Sequence, residues 1–181
     1  MRQVKGTMLV NIVKGIRANK SGVYDKILDA DDKVVISQKI LNGAWYPFNT
    51  YKNCANAVAQ VEAKGNMEIV KNWGRDTGEI IMKTIYKSAI AVGNPEKAWA
   101  SIHRLFKLWF NFGQVIGEFV SDTEIHISFN GFDTDFETFY YIALGWFESF
   151  FELILDKKVE SKFLTRSWEG DHETKFSISW S

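Results

Sequence analysis

The chain has 181 residues with 22 basic and 22 acidic side chains, so no net charge draws it to nucleic acid or to an anionic membrane. Its length suits one domain that buries a core without staples, and the single Cys54 excludes an intramolecular disulfide or a multi-thiolate metal site. Lys14 and Arg17 break the only signal-like stretch, and Glu148 and Glu152 interrupt the best membrane-span candidate, so a cytoplasmic protein is expected.

Residues 6–20 have the spacing of a helix, with Met8, Leu9, Ile12, Val13 and Ile16 on one face and Ser21-Gly22 as its stop. Residues 23–30 read as a short second helix, and 34–41 fit helix or strand equally. Asn42-Gly43 breaks the chain before Trp45-Tyr46-Pro47-Phe48, which Pro47 biases toward an extended course. Asn49 or Thr50 is the expected cap of a helix to Lys64, stopped by Gly65-Asn66. A short helix over 67–73 is expected to end at Gly74. Another is expected from Asp76 to Ala91, with Ile80, Ile81, Thr84, Ile85 and Ser88 inward. Asn94-Pro95 starts the next, to Phe110, which should bury Trp99, Ile102, Leu105, Phe106 and Trp109.

After Gly113 the period changes from 3.6 to 2. Ile125, Ile127 and Phe129 alternate with Glu124, His126 and Ser128, so residues 114–122 and 123–130 form one hairpin. The stretch 134–156 reads as a long helix whose apolar face, from Phe136 through Phe151 to Leu155, is too wide for a surface helix. A second hairpin follows, 159–166 with 175–180, turning at Glu169-Gly170-Asp171. The fold class expected is α+β. An N-terminal helical part, 1–112, packs on a four-stranded antiparallel sheet, ββαββ over 113–181, in one domain of 181 residues.

Catalytic signatures are absent: there is no G-x-S-x-G, no phosphate-cradling loop and no H-E-x-x-H, so a non-enzymatic role is expected. Asp31-Asp32 reads as a solvated helix boundary and Cys54 as a buried thiol. His126 and His172 read as surface residues. His103, mid-helix beside an apolar face, is either a partly buried structural imidazole or a ligand to a metal or haem iron. With aromatics at 15%, the rings of Trp45, Tyr46, Phe48, Trp99, Phe106 and Trp109 are candidates to enclose an apolar small molecule. Gly145, in mid-helix, is either simply tolerated or marks, with Tyr141, a face where another backbone approaches, such as that of a partner subunit.

Several stretches carry a resemblance. Val4-Lys5-Gly6-Thr7-Met8-Leu9-Val10, the run Tyr51–Ala63, Trp73-Gly74-Arg75 and the helix before His103 resemble haem–nitric-oxide/oxygen sensor domains. Gly145 in its aromatic helix, Val159-Glu160-Ser161-Lys162 and Glu169-Gly170-Asp171 before Phe176 resemble V4R domains, on the fold also shared by transport-protein-particle subunits. Trp45–Phe48 and Phe176–Trp180 are most similar to a bacterial paralogous family abundant in myxobacteria.

The resemblance implies an axial histidine, which His103 matches, and a Tyr-x-Ser-x-Arg strand for the haem propionates. At that strand this chain has His126-Ile127-Ser128-Phe129-Asn130, keeping only the serine. The final hairpin lacks the cysteines that V4R domains often carry, and Cys54 is the one candidate for the acylation known in trafficking subunits. The leading expectation is therefore a module of bacterial signalling that binds a small molecule or a protein, homodimeric, with no cofactor and no metal. The alternatives are a haem-based gas sensor with His103 as axial ligand, and an oligomeric scaffold subunit.

Overall fold

The opening residues pair rather than merely leading into a helix: β1 (Gln3–Lys5) lies antiparallel to β2 (Trp45–Pro47), with Val4 opposite Tyr46. The computed structural model describes residues 1–84 and 93–181. By contacts the chain forms two compact units, Met1–Met67 with Lys107–Phe112, and Glu68–Phe106 with Gly113–Ser181. The helical residues therefore do not stay together, because those from Glu68 to Phe106 group with the sheet.

In the first unit, α1 (Gly6–Ala18) buries Leu9, Val13 and Ile16 and packs on α4 (Phe48–Glu62). Gly6 is required at the start of α1, since a Cβ there would run into the Leu41 carbonyl and lie 2.9 Å from the Tyr46 ring. Between them lie α2 (Val23–Ile27) and α3 (Ala30–Ser37). The ambiguous stretch 34–41 is helical only to Ser37, in an α3 whose start Asp29 caps by accepting from the Asp32 N–H at 2.8 Å and whose end is marked by Gln38 in extended backbone. Asp32 itself is buried, not solvated, and accepts from Asn53 of α4 at 2.8 Å. The start of α4 falls at Phe48, after Pro47, rather than at Asn49 or Thr50. Phe48, Tyr51, Phe110 and Phe112 form a ring cluster, with Phe48 and Phe112 centroids 4.6 Å apart.

In the second unit the sheet order is β3 (Gln114–Ser121), β4 (Glu124–Asn130), β6 (Lys175–Trp180), β5 (Val159–Thr165), antiparallel throughout. The period change at Gly113 and both hairpins are as expected, and the fold is α+β. The inner hairpin strands, β4 and β6, join the two hairpins into one sheet. Helix α7 (Glu137–Leu155) packs on this sheet, and even Thr138, Glu148 and Ser149 of its polar arc are buried.

Helix α5 (Met67–Thr84) is continuous through Gly74, where a break was expected. Ile81 is buried but Ile80 is 63% exposed, so only one of the two points inward. The expected inward residues Ile85 and Ser88 lie outside the described residues. Helix α6 (Pro95–Trp109) starts as expected, with Asn94 Oδ1 accepting from the Lys97 N–H at 2.8 Å. Among the described residues no helix is long and apolar enough to cross a membrane.

Candidate functional site

Helix α6 buries Ala98, Ile102, Leu105, Phe106 and Trp109 as one stripe, and His103 lies half-buried on its flank. Helical spacing puts His103 between Trp99, four residues before, and Phe106, three after. Both rings are docked. Trp99 packs against Phe147 of α7 with centroids 5.9 Å apart and covers Gly117 of β3, where any Cβ would collide with the indole. Phe106 meets Phe129 of β4 at 6.0 Å and Phe132 at 5.5 Å. The imidazole is thus carried by a helix turn that is pinned to the sheet above and below it. Trp99 stays half-exposed, whereas full burial was expected.

Strand β4 turns Ile125, Ile127 and Phe129 toward the core. The alternation of a strand sends Glu124, His126, Ser128 and Asn130 to the opposite face. There the Glu124 carboxylate accepts from Ser177 Oγ at 2.6 Å and pairs with His126 Nε2 at 3.0 Å. The Ser177 bond and then the His126 bond hold the Glu124 carboxyl below its usual range. The strand that the resemblance assigns to propionates therefore presents an imidazole–carboxylate pair, a buried Ser128 and an exposed Asn130, with no cation among them. The sequence placed His126 beside Glu124 correctly; the Ser177 partner, across the β4–β6 ladder, was invisible without the strand order.

Gly145 of α7 is buried because a backbone does approach it, and that backbone is the chain's own α5. A Cβ there would overlap the Lys71 carbonyl and stand 3.0 Å from the Arg75 amide. Gly74 and Gly78 answer from α5: a Cβ on Gly74 would overlap the Ile142 carbonyl, and one on Gly78 would lie 3.1 Å from the Trp146 ring. Where the helices touch, Glu148 receives Lys71 Nζ at 2.7 Å, Arg75 Nη1 and Ser161 Oγ, while Arg75 Nη2 reaches Glu152 at 2.6 Å. Burial alone would raise the Glu148 carboxyl, but the Lys71 and Ser161 bonds and the nearby cations outweigh it and hold it low. The Gly74-x-x-x-Gly78 spacing was the available signal, hidden by ending a helix at Gly74. Tyr141, expected at an interface with Gly145, is half-buried with its ring against Phe163 and Trp168.

The six rings expected around a ligand fall in different units. Trp45, Tyr46, Phe48 and Trp109 belong to the first, Trp99 and Phe106 to the second. Trp45 is the most exposed and lies under Lys5 Nζ, 3.9 Å from the ring centroid. Tyr46 Oη accepts from the Leu41 N–H at 2.9 Å, and Phe48 joins the cluster with Phe110 and Phe112.

No protein-family model matches the chain, and no curated protein matches it. Solved structures do match, and they define the fold as that of H-NOX proteins. An H-NOX protein from S. oneidensis in the Fe(II)NO ligation state superposes with a TM-score of 0.68 at 13% identity, over 98% of this chain and 99% of that one. The Fe(II) unliganded H-NOX protein from K. algicida gives 0.66 at 12%, over 98% and 96%. An oxygen-binding H-NOX domain related to soluble guanylate cyclases, as its oxygen complex, gives 0.62 at 15%, over 98% and 95%. The part of the resemblance that pointed to haem–nitric-oxide/oxygen sensors is thus the part these structures share in fold. They also correct the expectation of a cofactor-free chain, because proteins with this fold carry iron, as an Fe(II)NO complex in one and as unliganded Fe(II) in another.

Proposed function

We propose that the chain is a haem-binding sensor module for a diatomic gas, acting without catalysis, with the His103 imidazole as the axial ligand of the iron. The observation that carries this reading is the setting of His103, a half-buried imidazole on a helix turn pinned by two docked rings, in a fold shared almost end to end with H-NOX proteins. The donor chemistry fits, since imidazole is a standard haem-iron ligand. When bound, haem would supply an iron that coordinates the gas. His103 would hold the metal, with Trp99 and Phe106 as positioning residues that tie α6 to β3, β4 and α7.

The propionate side departs from the resemblance. Ser128 and Asn130 offer neutral hydrogen bonds, which are about half as strong as charge-assisted ones, and Glu124 adds charge of the same sign as a propionate. Retention then rests on His103 and apolar contact.

Addition of haem to the purified chain is expected to produce a Soret band, and His103→Ala to change that spectrum, with added imidazole restoring it. No Soret band, or an identical spectrum from His103→Ala, overturns the reading. The same reading carries a cytoplasmic, homodimeric role in bacterial signalling. Native mass spectrometry of the haem-treated protein reports both stoichiometries, and a strict monomer at high concentration removes the dimer.

A further inference from the structure

A second candidate site lies wholly within the first unit and owes nothing to haem. Helices α1, α2 and α3 border an open pocket of about 620 Å³, within the usual span for small-molecule sites. Ile16 and Tyr24, both buried, give it an apolar floor, and Arg17, Lys20 and Lys33 stand around it with Asp25 as the one carboxylate on its lining.

The partners of these three cations are backbone carbonyls. Arg17 donates to the carbonyls of Ile36 and Gln38, Lys20 Nζ to that of Arg17 at 2.6 Å, and Lys33 Nζ to that of Asp25 at 2.6 Å. Among the described residues none of the three pairs with a carboxylate. The carbonyls orient the cationic heads without neutralising them; against Asp25 on the lining and Glu62, which accepts from the lining residues Tyr24 and Asn19, the three cations leave an excess of one positive charge around the pocket in a chain whose total charge is zero. Each lysine head also keeps two N–H donors after its one backbone bond.

We propose that this pocket binds a small soluble organic anion, a carboxylate or phosphate monoester with a short apolar tail. The tail lies on Ile16 and Tyr24, and the head is held by Lys20, Lys33 and the uncommitted Nη1 of Arg17. Burial of the tail supplies affinity, and the charges supply selection of the head.

The test uses the full chain with hexyl phosphate, hexanoate and hexanol, followed by amide chemical shifts and calorimetry. Expected is one saturable site for at least one of the two anions, with shifts centred on Ile16, Tyr24 and Ile36, and binding that weakens as salt is raised. The anion that binds identifies the head group. Lys20→Gln/Lys33→Gln should weaken it by about tenfold, since each lost contact of a solvent-exposed charge is a factor of about three. Arg17 is left unaltered because it also caps α3. If the double variant loses its fold, the salt dependence and the hexanol comparison on the unaltered chain decide. Failure of both anions to bind, equal binding of hexanol, or salt-independent binding overturns the proposal. So does attachment to phosphatidylglycerol vesicles without binding of either free anion. None of these results bears on the Soret experiment.

Discussion

Asp32 is a carboxylate that α3 and α4 bury together, and the charges acting on it, Asp29 and Asp31, have its own sign. Burial raises its pKa, while bonds from Asn53 and Thr50 only partly oppose the rise. A group whose folded value lies above its unfolded value stabilises the fold most below the unfolded value, and that share is lost as pH rises through the folded one. Asp32→Asn keeps an acceptor for Asn53 and removes the charge. The variant is expected to have a higher urea midpoint than wild type at neutral pH and a flatter pH profile above the ordinary carboxyl value of 3.8. A lower midpoint at every pH would show that the charge itself is needed. Cys54, one turn along α4 from Thr50, is sealed in the core, where burial first and then Asp32 and Asp29 push its thiol up to about 12. A thiol reagent is expected to label it only after unfolding. The same burial removes the motive for reading it as an acylation site.

At the scale of elements, the α5–α7 contact is set by glycines and closed by charges. Helix propensity alone favours Gly145→Ala by about 1 kcal/mol. A Cβ on Gly145, however, overlaps backbone that belongs to a neighbouring helix and cannot rotate away. Overpacking of this kind costs about 1–3 kcal/mol or more, so both Gly145→Ala and Gly74→Ala are expected to lower the urea midpoint. Gly78→Ala should lower it less, because its Cβ would stand 3.1 Å from the Trp146 ring and 3.2 Å from the Trp146 carbonyl rather than overlapping backbone.

Glu148 is the charge at the centre of the same contact. Glu148→Ala leaves Lys71 with a side chain only 17% exposed and is expected to cost about 3 kcal/mol. Because its carboxyl is held below the ordinary value, its contribution is present above the unfolded value and lost as pH falls through the folded one. Glu148→Gln should therefore lose less stability on acidification than wild type does. The sequence showed that α7 is buried too widely for a surface helix and that Gly145 is out of place in it. It did not show which backbone comes near, because proximity between residues 71 and 145 is a property of tertiary packing, not of either local pattern.

At the scale of the molecule, the strands were legible because alternation over 114–130 and 159–180 is strong, and the helices because capping signals such as Asn94-Pro95 are local. What stayed hidden was non-local: the pairing of β1 with β2, the Ser177–Glu124 bond, and the division that sends α5 and most of α6 to the sheet. The candidate site shows the same split. His103 could be picked out from its helix, whereas the mismatch on β4 gained meaning only when the strand's two faces were assigned.

The order β3-β4-β6-β5 carries a consequence for how the chain assembles. The strand made last, β6, occupies an interior place, so β4 keeps an open edge through the synthesis of some fifty further residues, and β5 has nothing to pair with until Lys175 emerges. Closing such a ladder requires a long loop to be cinched before any reward is collected, which makes it a slow step. During biosynthesis, this unit is therefore exposed to mispairing until its final ribbon slots in.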